Sequence, residues 1–248
     1  VATLLALNPN TSLDVTARIG RALAPFTPPG GQVRLATARF GAPYLASEAG
    51  VVVAGHAVLD AVAQDWQQQA CPDGVLIACF GDPGLQALRE LMPVPVTGLA
   101  EAAMTEASAL GRYGIITGGA AWKPMLERLA IALGLQRGLA QIVTVAPSGA
   151  QLAADPDGAV NLLVSACHQM LDAEALDAIV VGGAGLAGLA ARMQPLVPVP
   201  LICSVQAGAR LAWARMAPQR SALPDLPETR AGWTGVSSVL DALLSRQS

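Results

Sequence analysis

The sequence predicts an α/β fold made of two similar halves, each a parallel sheet flanked by helices, with the active site in the cleft between them. Three observations lead there. Short apolar runs without alternation recur along the chain, each followed by a helical stretch, as in parallel strands covered on both faces. The segment Asp73-Gly-Val-Leu-Ile-Ala-Cys79-Phe-Gly-Asp-Pro-Gly84 is echoed by Asp177-Ala-Ile-Val-Val-Gly-Gly183-Ala-Gly-Leu-Ala-Gly188, in each case a buried strand running into a glycine-broken turn. Further on, Leu91-Met-Pro-Val94-Pro95-Val96 is answered by Leu196-Val-Pro-Val199-Pro200-Leu201, and a helix of small residues follows each. Similar α/β halves place a ligand where their strand ends converge.

The elements follow in order. A first strand is expected over Ala2–Leu7, apolar except for Thr3; the polar turn Asn8-Pro9-Asn10-Thr11-Ser12 then opens a helix over Ser12–Leu23, with Thr11 or Ser12 as a natural N-cap. The strands Gln32–Ala36, Gly74–Ala78 and Val94–Val96 alternate with helices over Ala46–Gln69, Gly84–Leu91 and Gly98–Leu110. The second half repeats the scheme. Its strands are Tyr113–Thr117, Ile142–Val145, Ala178–Val181 and Val199–Ile202, and its helices Trp122–Leu133, Gly158–Leu171, Leu186–Met193 and Val205–Met216. The run Leu4 to Thr11 is matched, more weakly, with Gly114 to Gly119. Proline-rich Ala217 to Arg230 reads as a surface loop before a last helix over Gly235–Ser245.

Composition narrows the function classes. With 53% hydrophobic and 13% charged residues among 248, the chain can bury a large core. The long uncharged stretch Met193 to Ala209 holds Pro195, Pro198 and Pro200 and cannot form a continuous helix. A net charge of −3 with scattered Lys and Arg argues against nucleic acid. Four cysteines without CxxC spacing and only two histidines argue against a metal site and for a reducing compartment. No secretory leader pattern is read at Val1, and a cytoplasmic protein is expected.

Chemistry is expected at four turns that follow strands. Asn10 and Thr11 stand where amides and hydroxyls at a helix start suit an anion. In Cys79-Phe80-Gly81-Asp82-Pro83-Gly84 the thiol sits at a strand's carboxyl end facing a helix start, whose field is expected to lower its pKa. Thr117-Gly118-Gly119 offers a hydroxyl and backbone N–H groups. Gly183-Ala-Gly185-Leu-Ala-Gly188 spells GxGxxG, but the next strand ends at Ile202-Cys203-Ser204 rather than at the acidic residue a dinucleotide's ribose requires. Aligning Asp73 with Asp177 sets Cys79 against Gly183, so one copy carries a thiol and the other does not.

Asn8-Pro-Asn-Thr-Ser12, Ala78-Cys-Phe-Gly-Asp-Pro-Gly-Leu85 and Val181-Gly-Gly-Ala-Gly-Leu186 together resemble the aspartate/glutamate/hydantoin racemase family, over nearly the whole chain and closest in motif to its hydantoin and allantoin racemases. The resemblance implies halves related by a pseudo-twofold axis, here residues 1–97 with 208–248 and residues 98–207. It also implies cofactor-independent proton transfer at a carbon next to a carbonyl, on a small carboxylate or imide such as an amino acid or hydantoin. By the same resemblance Cys79 is the first catalytic thiol, Asn10, Thr11, Phe80 and Gly81 contact the substrate, and Thr117, Gly118, Gly119, Gly183 and Ala184 form the opposing cradle. The chain departs from the pattern where Gly183 replaces the second thiol. Cys203, ending the following strand, is the candidate replacement, and a buried packing role is its alternative.

Two enzyme readings and one binding reading stand beside a racemase or epimerase. A one-thiol lyase resembling arylmalonate decarboxylases needs a single proton donor, although the known pattern places that donor in the second half. A cis–trans isomerase of the maleate type is a further relative, and a non-catalytic small-anion binder would have kept the cradle alone. Cys71 and Cys167 are expected to be structural, His56 and His168 to pack or lie at the surface, and Tyr44 either to cover the site or to pack. The sequence leaves the oligomeric state open, a homo-oligomer included.

Overall fold

The computed structural model describes residues 1–217 and 233–245. Its eight strands form two all-parallel four-stranded sheets in the orders β2-β1-β3-β4 and β6-β5-β7-β8. The strands are β1 (Ala2–Asn8), β2 (Gly31–Thr37), β3 (Gly74–Ile77), β4 (Val96–Gly98), β5 (Tyr113–Gly118), β6 (Leu139–Val145), β7 (Ala178–Val181) and β8 (Leu201–Cys203). Both sheets are thus ordered identically, as the internal repeat requires. Opposite Gly74 stands Leu4 and opposite Ala178 stands Tyr113. The register therefore makes Asn8 the counterpart of Thr117 and Asn10 of Gly119, one place from the weaker match drawn along the sequence.

The aspartate that opens each copy has a structural role. Asp73 Oδ2 accepts the Thr3 backbone N–H at 2.8 Å, and Asp177 Oδ2 accepts that of Arg112 at 2.7 Å. Each carboxylate ties the start of its strand to the neighbouring central strand. Prolines recur for a related reason. Pro95 and Pro200 cannot donate to a ladder, so β4 and β8 begin just after them, while their carbonyls accept from Val75 and Ile179.

The helices are α1 (Leu13–Leu23), α2 (Glu48–Gln68), α3 (Leu85–Leu91), α4 (Leu99–Ser108), α5 (Trp122–Ala132), α6 (Gly149–Ala154), α7 (Pro156–Ala173), α8 (Leu189–Met193), α9 (Ser204–Met216) and α10 (Ser238–Leu244). Two of them cross between the sheets. Helix α4 follows β4 yet packs on β7 and β8, and α9 follows β8 yet packs on β3 and β4; the two also pack on each other. Small residues permit this: a Cβ on Gly208 of α9 would stand 2.4 Å from Leu99 of α4. One apolar core consequently runs from Leu4 and Leu76 through Leu99 and Met104 to Ile115 and Val180. Helix α10 returns to α2, burying Leu240 and Leu243 in a cluster with Val58 and Val62.

Helix α6 has no counterpart among the expected elements. Ser148 caps it, its hydroxyl accepting from Gln151 N while the Gln151 side chain accepts from Ser148 N, a reciprocal box legible as S-x-x-Q. The expected helix over Leu186–Met193 begins only at Leu189, after a 3₁₀ turn over Ala184–Leu186 and Gly188 at φ +87°. Of the loop expected over Ala217 to Arg230, all but Ala217 lies outside the described residues. Among the described residues no helix is long and apolar enough to cross a membrane.

Candidate active site

The carboxyl ends of both sheets enclose a cavity of about 260 Å³, just under the usual range for ligand sites. Asn10, Cys79, Phe80, Thr117, Gly118, Gly183 and Ala184 line it, joined by Arg18, Tyr44, Trp122 and Gly149. Parallel strands in register deliver these residues. Leu7 pairs with Ile77 and Ile116 with Val181, so the turns after β1, β3, β5 and β7 leave the sheets at corresponding heights.

Cys79 follows the end of β3, half-buried at the cavity wall. Its carbonyl accepts from Gly81 N and Asp82 N at 3.0 and 3.2 Å, closing the turn. Asp82, at φ +46°, turns its carboxylate onto the start of α4, accepting from Ala100 N at 2.9 Å and Glu101 N at 2.7 Å. Gly98 must lack a side chain there, since its Cβ would stand 2.1 Å from the Asp82 carboxyl carbon. The next charges outward are Glu101 and the arginines Arg89 and Arg215, which both bond its carboxylate.

The expected lowering of the thiol's pKa is not what the structure shows. Burial pushes the Cys79 thiol up, and the neighbouring Asp82 carboxylate pushes it further. The expected field was that of the helix following this turn, α3; beside the thiol stands instead the Asp82 carboxylate, held by the first amides of α4. Burial raises Asp82 itself to about 7, against the pull of its two backbone hydrogen bonds.

The facing groups are donors and glycines. Asn10 Oδ1 accepts from Asn8 Nδ2 and Ser12 N, both at 2.9 Å. Its Nδ2 has no partner among the described residues and is free for a ligand. The backbone N–H groups of Phe80 and Ala184, equivalent positions of the repeat, are likewise unpartnered within the described residues. Gly183 N donates to Ser204 Oγ at 3.1 Å and Gly119 N to Val145 O at 2.9 Å, so those two amides are already used. Thr117 Oγ1 donates to Gly182 O at 2.9 Å and keeps acceptor capacity.

Of the glycines after β7, Gly182 and Gly185 answer to packing and Gly183 to backbone conformation. Gly183 has φ +120°, and the nearest atom to a Cβ built on it is Thr117 Oγ1 at 3.9 Å. A Cβ on Gly185 would lie 2.5 Å from Gly149 O, and one on Gly182 would lie 2.1 Å from the Phe80 ring. Phe80 thus crosses the cleft onto Gly182, as Trp122 crosses it onto Gly81, where a Cβ would stand 2.5 Å from the indole. Gly182→Ala is expected to destabilise the protein by about 2–3 kcal/mol, as overpacking a filled core does. Its chemical-denaturation midpoint, compared with that of Gly182→Ala/Phe80→Leu, which should recover much of the loss, checks this.

Thr11, Gly81 and Gly119 flank the cavity without lining it. Neither does Cys203 line it: this buried residue ends β8 and precedes α9. Cys167 is buried in α7. His168 is exposed, and His56 meets Phe40 edge to face at 5.0 Å. Tyr44 spans the cleft, its hydroxyl accepting from Gly149 N at 3.2 Å, and Arg128 of α5 pairs with Glu48 of α2 beside it. Sequence reasoning missed Arg18, Trp122 and α6. The Ser148 capping box marked α6, and Arg18 lies one turn beyond Asp14 on a face that both share with Val15. Among the described residues no group of three or more His, Cys, Asp or Glu could hold a metal ion.

The chain is similar to known proteins over most of its length. A model of the family described as Asp/Glu/Hydantoin racemase matches residues 4–212. A hydantoin racemase of Pseudomonas sp. (strain NS671) is 29% identical over 207 residues, 83% of this chain and 82% of that protein. The allantoin racemase from Klebsiella pneumoniae superposes with a TM-score of 0.84 at 29% identity, covering 98% of this chain and 99% of that one. A liganded mutant of arylmalonate decarboxylase shares the fold, at a TM-score of 0.66 and 19% identity.

Proposed function

The chain belongs to the Asp/Glu/hydantoin racemase family, and from that premise we propose that it racemises or epimerises a small hydantoin-like or amino acid substrate at the carbon next to a carbonyl, with Cys79 as its acid/base group. One observation carries this reading: a single thiol at a strand end faces unpartnered N–H donors across a small cavity. The Asn10 Nδ2 and the Phe80 and Ala184 amides hold the carboxylate or imide and stabilise the negative charge that develops on its oxygen as the α-proton leaves. Cys79 exchanges that proton on one face. On the other, Gly183 leaves a gap beside Thr117 Oγ1, through which the second proton is exchanged with solvent.

Proton NMR with chiral analysis in deuterium oxide tests it on a panel of hydantoins, allantoin, acidic amino acids and substituted malonates. Deuterium uptake at the α-carbon with loss of chirality supports the proposal; loss of carbon dioxide giving one labelled enantiomer refutes it. A pH profile follows from the same chemistry. Abstraction needs the thiolate, and burial with Asp82 pushes the thiol up, so kcat/KM should still rise with pH at about pH 9, roughly tenfold per unit. A plateau by about pH 7, near an ordinary histidine's range, would assign the base elsewhere.

The elevated thiol also favours a second reading, the one-thiol decarboxylase. There Cys79 stays protonated and donates once, after carbon dioxide leaves, and no opposing acid is needed. The same NMR experiment separates the two.

A further inference from the structure

Most arginines among the described residues are paired with a carboxylate. Arg34, Arg39, Arg89, Arg112, Arg128, Arg192, Arg210 and Arg215 each meet a carboxylate within ion-pair distance. Among the described residues the cations without such a partner include Arg21, Lys123 and Arg137, all exposed, and Arg18, which is half-buried and lines the cavity. Its only charged companion in that lining is Asp14, four residues back on α1, which is exposed and lies beyond ion-pair distance. A half-buried guanidinium with no acid to neutralise it loses hydration without return unless a ligand supplies the anion.

We propose that Arg18 is a specificity-determining residue that binds a carboxylate on the substrate's side chain, separate from the carbonyl group that activates the α-carbon. The position fits two separated groups. Asn10 stands after β1 before α1 begins, whereas Arg18 sits more than one turn into that helix. Arg18, Asn10 and Cys79 line the same cavity, so a substrate held at Asn10 and Cys79 has a cation on the same wall for a second group. The planar fork of Arg18 suits a carboxylate bidentately, a recognition that a neutral amide of the same shape cannot match.

This inference rests on reading the cavity as the site of α-proton exchange, and the test separates the two. The probes are the racemic hydantoins of glutamic acid and glutamine, equal in shape and differing in one charge. Titration calorimetry on racemic material reads binding alone, and deuterium uptake reads turnover. The wild-type protein should bind the carboxylate compound about tenfold more tightly than the amide. Arg18→Gln should bring that ratio to about one, chiefly through a higher Kd and KM for the acid, while Arg18→Lys should restore about threefold, a charge without the fork. An Arg18-dependent preference without deuterium uptake would leave this assignment standing and overturn the racemase reading. Equal kcat/KM and Kd for the two compounds, a preference unchanged in Arg18→Gln, or no binding of either would overturn the assignment.

Discussion

Cys79→Ala is expected to lower α-proton exchange by at least about a thousandfold, close to 4 kcal/mol of lost transition-state stabilisation. The size follows from the cavity's composition. Cys79 is the sole thiol in its lining, and no histidine lines it. Folding should be little affected, because one sulfur atom is removed from a half-buried position that makes no side-chain hydrogen bond. A change in Tm of no more than about 3 °C is consistent with that loss. Exchange rates in deuterium oxide beside a thermal melt check both parts, and exchange above about a tenth of wild type would remove Cys79 from the mechanism. The same variant should retain ligand affinity through Asn10 and the Phe80 and Ala184 amides, so kcat should fall far more than KM changes.

The second large effect is structural. Asp82→Ala removes the acceptor for two backbone N–H groups at the start of α4 and leaves both unsatisfied in a buried place. About 3 kcal/mol of destabilisation is expected, since each orphaned amide costs 1–3 kcal/mol and a lost cap about 1. Asp82→Asn keeps one acceptor oxygen and should lose about half as much. The pH dependence has a definite sign. Burial raises Asp82 from 3.8 to about 7 in the folded protein. Its contribution to stability is therefore full below its unfolded value and is lost as pH rises through about 7. Denaturant unfolding of wild type and Asp82→Asn at several pH values should show their difference shrinking across that window. Because the Asp82 charge raises the Cys79 thiol, Asp82→Asn should also move the alkaline limb of kcat/KM to lower pH. A limb that did not move would mean the turn's carboxylate and thiol are uncoupled.

Much of the fold could be read along the chain for a simple reason. A parallel strand buried on both faces must be a short apolar run, and its crossover must be a helix, so the central strands β1, β3, β5 and β7 were visible as Val-, Ile-, Leu- and Ala-rich segments, whereas the half-exposed β2 and β6 carry polar residues and β4 begins two residues later than expected. The repeat was visible because duplicated backbone geometry makes duplicated demands. Asp73 and Asp177 close the same contact, and Pro95 and Pro200 precede the same edge strand. Helix α6 escaped notice because six residues carry too little periodicity, and only its cap marked it.

For the site, local sequence marks which turns carry chemistry-bearing groups: Asn10 after the first strand, Cys79 after the third, and Gly183 where the repeat sets a glycine against that thiol. Tertiary structure alone decided what those groups do to one another. Burial of the Cys79 turn, with the Asp82 carboxylate adding to it, reversed the expected direction of the thiol's pKa. Closure of the two halves brought Arg18, Trp122 and Gly149 into one cavity, while the burial of β8 kept Cys203 outside it. The physical reason is the range of the forces involved. Strand and turn formation depend on residues a few positions apart, whereas desolvation and Coulomb coupling depend on which groups share a low-dielectric space, and that is settled only when distant segments pack.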